Sequence, residues 1–293
     1  MTDRAKNERR LGWLLSAPAL IIMLAVTAYP MLNAMYLSLF TYRLTDPGVQ
    51  TFVGLSNYWV VLTDPLWWQD FGTTAIITVI TVSVELVIGF ILAYVMHRII
   101  FGRRTVRTAI LVPYGAVTVV SAFAWKFAFA SDSGFVNTWL GLETFDWFGQ
   151  WWSSILVISM AEVWKTTPFI SLLLLAGLAQ VPEVLLEAAQ VDGATFWQRL
   201  FKVILPNMKA AIMVAVLFRT LDAWRIFDTI FIMTAGANGT ETLSFLTYRQ
   251  SISRVALGIG SAVSVLLFIS VILIAVIFVK GFKVDLSGVR GDR

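Results

Sequence analysis

Long apolar stretches alternate with short polar ones along the whole chain. The apolar stretches span residues 11–40, 73–96, 108–130, 153–178, 206–233 and 257–279. About 20 helical residues cross the ~30 Å hydrocarbon layer, so each stretch predicts one membrane-spanning helix. The first, with about 30 residues reaching ~45 Å, crosses with tilt or projects beyond the lipid. It follows a basic segment (Arg4, Lys6, Arg9, Arg10), exceeds the ~7 to 15 residues of a signal core and lacks a small-residue cleavage site, so it reads as an uncleaved span. Residues 41–72, with Asp46-Pro47-Gly48 and Asp64-Pro65, predict a loop, as do 131–151 and 234–256, the last opening on the turn-prone Ala235–Thr240. Trp59, Trp67 and Trp68 mark either an aromatic belt or a protein-contact surface. The expected fold is all-α, a polytopic bundle of six spans.

Composition agrees. Of 293 residues, 58% are hydrophobic and 14% charged, against about 25% charged in soluble domains. A net charge of +4 could suggest nucleic acid, but the basic residues are scattered through short connections, and no nucleic-acid partner is expected. Their placement instead orients the chain. The segment before the first span, the connection carrying Arg98, Arg103, Arg104 and Arg107, the one carrying Arg199, Lys202 and Lys209, and the tail with Lys280, Lys283, Arg290 and Arg293 all fall on one side; only Arg43, Arg249 and Arg254 fall on the other. The positive-inside rule therefore places both termini in the cytoplasm. There is no cysteine, and the single histidine, His97, sits among arginines where it reads as solvated, so no metal site is expected.

Several charges fall inside the apolar stretches. Glu85 must face the bundle interior or an aqueous path. Arg219, Asp222, Arg225 and Asp228 recur every three residues of the fifth span, each costing roughly 2.5 to 3.5 kcal/mol at a helix centre if left facing lipid. They pair with one another or with other helices, or they line water and contact substrate. In the fourth span, Trp164-Lys165-Thr-Thr-Pro168 puts a proline near mid-depth, either lining a path or only kinking the helix. Gly260 and Ser264 form a small-x-x-x-small helix-packing pair.

Residues 181–205 interrupt the apolar pattern. Pro182 and Glu183 suit a helix start, and Asp192-Gly193 a stop. Thr195 and Gln198 have the form of a capping box, after which Phe196, Leu200, Val203 and Ile204 recur on one helical face. Two short helices joined at a glycine make a compact knob, and Pro206 marks the passage into the next span.

Glu187-Ala188-Ala189, Gly193 and Val203-x-Leu205-Pro206 resemble the EAA loop of binding-protein-dependent ABC importer permeases, with Val203 a mild departure. Leu15-Ser-Ala-Pro-Ala-Leu20, Phe52-Val-Gly-Leu-Ser-Asn-Tyr58 and Phe227–Thr240 are similar to the carbohydrate (maltose-type) branch, which usually has Gly-Gly-Pro where this chain has Gly236-Ala237-Asn238. Within that branch the likeness is closest to first permeases of mycobacterial-type trehalose importers. The resemblance implies the type I importer permease fold in the cell inner (plasma) membrane, and a chain that forms half of a translocation pathway by alternating access. The implied cargo is a disaccharide such as trehalose. The implied partners are a second homologous permease, a dimer of ATPase subunits that uses ATP and Mg, an extracytoplasmic sugar-binding (lipo)protein and membrane lipid. ATPase coupling would fall to Glu187, Ala188, Ala189, Asp192, Gly193, Leu205 and Pro206. Pyranose faces pack on aromatic rings and their hydroxyls need polar partners, which makes Trp125, Trp164, Asp222, Arg225 and Asp228 candidates for the substrate pathway.

The chain lacks a Gly-x-x-x-x-Gly-Lys-Ser/Thr loop, so it has no recognisable means of hydrolysing ATP itself and energy must come from a partner; no cofactor is expected on this chain. No nucleophile elbow or His-Glu-x-x-His helix indicates an intramembrane enzyme, and no catalytic residue is assigned. The competing class is an ion-driven secondary transporter of a small polar solute, motivated by Glu85, Glu162 and the charged fifth span; the inverted repeats that would favour it are not evident.

Overall fold

The computed structural model describes residues 3–46, 48–99, 101–142 and 145–281, with side chains from Arg10 onward. Lys283, Arg290 and Arg293 of the basic tail lie outside the described residues, as do the side chains of Arg4, Lys6 and Arg9. The chain falls into two compact units, Met1–Pro65 with Leu246–Phe268, and Leu66–Phe245 with Ile269–Arg293.

In the first unit, α1 (Asp3–Leu37) begins within the basic segment and runs through Pro18 and Pro30. It stops three residues short of the expected end, because Ser38 turns its hydroxyl onto the Met35 carbonyl (2.6 Å) and the backbone enters β1 (Phe40–Thr41). This strand pairs antiparallel with β2 (Thr51–Phe52), Phe40 opposite Phe52. The predicted loop 41–72 is therefore partly regular. Gly54, at φ +56°, turns the chain into α2 (Ser56–Thr63), whose Asn57 Nδ2 donates to the carbonyls of Ser38 (2.8 Å) and Phe40 (3.0 Å) while the Tyr58 hydroxyl lies 2.6 Å from Ser38 Oγ. The start of the last helix joins the same knot. Gly258 N–H donates to the Tyr42 carbonyl (3.1 Å), and a Cβ on Gly258 would collide with the Phe40 carbonyl.

The second unit is built around α3 (Pro65–Arg98). Pro65 starts it eight residues before the expected boundary, so Trp67, Trp68 and Gly72 belong to a helix rather than a loop. A proline at the first position has its φ pre-set and no lost hydrogen bond. Trp67 is buried, whereas Trp59 and Trp68 are exposed. The buried stripe of α3 reads Trp67, Asp70, Thr74, Ile77, Thr81, Glu85, Gly89, Ala93, Met96, and the aliphatic Val79, Val87 and Ile91 point outward. Small and polar inside, greasy outside, is the pattern of a helix solvated by lipid, where close packing rather than hydrophobicity holds helices together.

The third apolar stretch is not one straight helix. α4 (Arg103–Gly115) and α5 (Thr118–Ala128) meet at 86°. Pro113 has no N–H to donate, Gly115 is a weak helix former, and Ala116 and Val117 adopt extended backbone. After α6 (Phe135–Leu140), α7 (Trp151–Leu178) continues through Pro168; the hydroxyls of Thr166, Thr167 and Ser171 donate to the carbonyls of Glu162, Val163 and Pro168 around it. The polar interruption forms α8 (Glu183–Val191) and α9 (Phe196–Asn207), the latter with a π turn at Leu200–Ile204.

The fifth stretch is broken twice. A bend of 71° at Met208 separates α9 from α10 (Lys209–Ala223), which itself ends before a short break that leads into α11 (Asp228–Met233). The predicted loop 234–256 holds another helix, α12 (Leu243–Tyr248), continued by a π turn at Arg249–Ser253. The last helix, α13 (Leu257–Gly281), matches the sixth predicted span; its Gly260 abuts Ser251 rather than another long helix. Among the described residues, four helices are long and apolar enough to cross a membrane, or six if each bent pair is one span.

Two cores hold the second unit. One gathers Ile77 of α3, Ala122 of α5, Ile155 and Ile158 of α7, and Ile230 and Met233 of α11. The other gathers Ala93, Ile170, Leu174, Leu200, Ile204 and Ala215 from α3, α7, α9 and α10, with Met208 from the bend between the last two. In the second, α7 and α10 touch where Gly177 faces Ala211, with no room for a Cβ on the glycine. Gly177→Val should therefore cost about 1 to 3 kcal/mol through overpacking, read as a lowered melting temperature of the detergent-purified protein.

Candidate functional site

The α8–α9 knob is closed at both joints by local backbone chemistry. Pro182 is the N-cap of α8, one position earlier than a first-turn proline, and Glu183 lies in the first turn. At the other end Gly193 stands at φ +76°, Gly193 N–H donates to Gln190 O (3.1 Å) and Ala194 N–H to Ala189 O (2.9 Å). That pair of bonds is a Schellman closure, and it needs a left-handed residue after Asp192. Nothing lies within 4 Å of a Cβ placed on Gly193, so backbone conformation, not space, calls for glycine. The capping box at Thr195 forms as the sequence predicts. Thr195 Oγ1 accepts from Gln198 N–H (3.4 Å) and Gln198 Oε1 accepts from Thr195 N–H (2.7 Å). Arg199 Nη1 then donates to Gln190 Oε1 (3.1 Å), tying α9 back to α8.

Glu187, Ala188, Asp192, Gly193 and Pro206 are exposed, and Ala189 and Leu205 half-buried, Leu205 against the second core. The knob thus stands on buried Leu200 and Ile204 and presents Val184, Val191, Trp197 and Phe201 outward. Beside it a polar cleft of about 670 Å³ is lined by His97 and Arg98 at the end of α3, Glu183 and Glu187 of α8, and Arg199 of α9.

Deeper in the unit lies an ionic cluster that joins three helices. Arg219 of α10, 1% exposed, donates through Nε to Glu85 Oε2 (2.6 Å) and through Nη2 to Glu85 Oε1 (2.9 Å). The same Nη2 reaches Glu162 Oε2 of α7 at 3.4 Å, and Nη1 reaches Asp222 Oδ2 at 2.9 Å. Thr166 Oγ1 sits 2.7 Å from Glu85 Oε1, and Thr229 Oγ1 donates to Glu162 Oε1. A bidentate pair with every guanidinium nitrogen engaged is the geometry in which buried ions offset their loss of water.

The four charges of the fifth stretch consequently do not wind around one helix. Arg219 and Asp222 belong to α10, Arg225 lies in the break with Nε donating to the Leu221 carbonyl (3.2 Å), and Asp228 opens α11, where its charge suits the helix N-terminus. Asp222, Arg225 and Asp228 are exposed. Pairing between helices accounts for Arg219. The break itself contains neither proline nor glycine: it forms where Arg225 and Ile226 N–H groups fall back to i→i+3 bonds and the Thr242 hydroxyl takes the Ile226 carbonyl (3.0 Å).

Trp125 of α5 and Trp164 of α7 do come together, with ring centroids 6.3 Å apart. Both line an apolar pocket of about 680 Å³ with Val84 and Ile88 of α3 and Pro113 of α4, and Trp125 stacks on Phe129 at 5.7 Å. Asp222, Arg225 and Asp228 do not line it. Glu85 faces inward as its charge required, but nothing in its sequence neighbourhood points to a partner 134 residues away, nor to the parts played by Glu162, Thr166 and Thr229. The only local signal was a charge with no tolerable outward position.

Removing Arg219 strands two buried carboxyl groups. Arg219→Met should cost about 3 to 5 kcal/mol, and pairing it with Glu85→Met should recover part of that loss, in thermal melts of the purified protein.

Residues 85–283 match the family described as binding-protein-dependent transport system inner membrane component. The chain is 50% identical over 287 residues to the trehalose transport system permease protein SugA of Mycobacterium tuberculosis, covering 98% of this chain and 93% of that one. It is 34% identical to the trehalose/maltose transport system permease protein MalF of Thermococcus litoralis, covering 96% of each. Among solved structures it is similar to a chain in the crystal structure of a bacterial ABC transporter involved in the import of the acidic polysaccharide alginate, with a TM-score of 0.80, 20% identity and coverage of 97% and 100%.

Proposed function

We infer, from the premise that the chain belongs to the binding-protein-dependent transport system inner membrane component family, that it is one of two permeases of an ATP-driven sugar importer, with trehalose or a similar disaccharide as cargo. It is a multi-pass membrane component of a transport system rather than an enzyme. The observation that carries the reading is the knob. Two short helices, locked by a Schellman closure and a capping box and offering an exposed apolar face with Glu187 beside it, form a rigid body suited to fit a recess in another protein. That protein is the ATPase dimer, which binds and hydrolyses ATP with Mg.

In this reading the two bent helix pairs each count as one span, giving six, with both termini and the knob in the cytoplasm as the distribution of basic residues demands. Glu187, Ala188, Ala189, Asp192 and Gly193 meet the ATPase, the small side chain of exposed Ala188 permitting close approach. Leu205 and Pro206 carry the knob's movement past the bend at Met208 into α10. An extracytoplasmic binding protein delivers the sugar, and a second homologous permease closes the pathway.

The paired indoles of Trp125 and Trp164 offer flat faces for a pyranose ring. Asp222, Arg225 and Asp228, exposed in the single chain, supply groups that can exchange hydrogen bonds with sugar hydroxyls where the two permeases enclose a cavity. The names of the relatives from M. tuberculosis and T. litoralis support the choice of sugar. The alternating-access step moves a neutral solute with energy from ATP, which leaves an ion gradient without a role.

The test is uptake of labelled trehalose in cells whose complex carries Gly193→Ala or Gly193→Pro. The alanine must adopt a left-handed φ, worth about 1 to 2 kcal/mol, and should lower uptake modestly. Proline cannot adopt that φ and has no N–H for the Gln190 carbonyl, so the permease should reach the membrane yet lose uptake. Wild-type uptake with Gly193→Pro, or uptake abolished by ionophores but indifferent to ATP depletion, would overturn the reading.

A further inference from the structure

We propose that Glu162 is a positioning residue, a clamp that makes α10 and α11 move as one body across the break between them. The proposal rests on the importer reading and adds to it the element that passes force from the knob to the pathway.

The break runs from Trp224 to Phe227, where α10 has ended and α11 has not begun. A helix interrupted there is a natural hinge, since motion entering α10 from the bend at Met208 could dissipate as rotation about these residues. Glu162 spans the gap from the side. Its Oε2 lies 3.4 Å from Arg219 Nη2, one turn before α10 stops, and its Oε1 accepts from the hydroxyl of Thr229, the second residue of α11. One carboxylate thus holds the helix before the hinge and the helix after it. Its own position is fixed: Glu162 is 8% exposed, its backbone carbonyl accepts from Thr166 Oγ1 (2.6 Å), and that hydroxyl also touches Glu85 Oε1, which is bidentate to the same Arg219.

The elements beyond the clamp give it consequence. α11 packs against α5 through Ile230, Met233 and Ala122, and Lys126 Nζ of α5 donates to the Ile232 carbonyl (2.9 Å). α5 carries Trp125. With the clamp closed, a displacement of α10 carries α11, α5 and Trp125 with it, so the walls of the aromatic pocket move together. With it open, α10 and α3, still tied through Arg219 and Glu85, move while α11, α5 and Trp125 lag behind, and ATP is consumed without transport.

Two substitutions cut the two arms separately. Glu162→Gln keeps the size and an oxygen acceptor for Thr229 but removes the charge that holds Arg219, and Thr229→Val removes the hydroxyl at nearly constant shape. In the complete complex, reconstituted with its ATPase, second permease, binding protein and sugar, both should hydrolyse ATP within about twofold of wild type, while sugar moved per ATP falls at least about fivefold. Thr229→Ser, which keeps the hydroxyl, should retain the wild-type ratio; a side chain needed only for stability would leave that ratio alone in the complexes that assemble. Because the chain has no cysteine, spin labels on cysteines replacing Phe218 of α10 and Phe231 of α11, both exposed, report the hinge directly. Their separation should be unchanged by nucleotide in wild type and broadened by nucleotide in Thr229→Val.

Sugar-to-ATP ratios within about twofold of wild type in both variants would overturn the clamp. So would failure of both to assemble, which would assign the cluster to folding alone. A wild-type complex that hydrolyses ATP without moving sugar would overturn the importer reading instead, and the label distances would still decide the clamp.

Discussion

A guanidinium in an apolar helical bundle has to be surrounded by acceptors, and the second unit is arranged to supply them to Arg219. Glu85 comes from α3, Glu162 from α7 and Asp222 from one turn further along α10. An ion pair of this kind adds little net stability over apolar packing, but it is intolerant of separation, because each partner left alone is a buried charge. It therefore fixes the rotation and height of three helices relative to one another. Ordinary lipid-facing helices, greasy on all sides, have no such preference.

Around that fixed point the packing is of the close, small-residue kind. Gly89 faces Ile170, Gly177 faces Ala211, and threonine hydroxyls along α3 and α7 return to their own helix backbones, as at Thr74, Thr81 and Thr167. Hydroxyls satisfied within the helix cost little on entering lipid or a protein interior, so they suit surfaces that slide. The interior combines one rigid ionic joint with smooth contacts on either side, a reasonable construction for a chain whose family performs transport.

What could be read in advance divides by range. The stop at Asp192-Gly193 and the capping box at Thr195 depend on residues within five positions of each other, and both formed where expected. Glu85 could be placed inward because the energetics of a charge in lipid leave no other choice. The breaks followed a gradient. Pro113 and Gly115 gave local notice of the bend before α5, although a continuous helix was expected; the break after Ala223 gave none, since Thr242 holds it open from outside the helix. Likewise α12 lay inside an apparent loop because Thr74, 169 residues earlier, accepts the Leu243 N–H. Phe52–Tyr58 could be recognised only by likeness, yet its Asn57 and Tyr58 prove to be the bolts of the α1–β1 corner.

The π turn in α9 fits one residue more into Leu200–Ile204 than a regular α-helical turn would take. That residue is absorbed locally, so one residue fewer there would give regular α-helix with the downstream phase nearly kept, whereas a deletion in the regular turn at Phe196–Arg199 would screw everything downstream round by about 100° and shift it by ~1.5 Å. Met208 would leave its seat among Ile204 and Ala215, and the guanidinium eleven positions further on would be carried away from its carboxylates. Outside the π turn, the interval from Gly193 to Leu205 is thus a gear with a set number of teeth: its side chains can drift, while its length is held by carboxylates beyond the bend at Met208.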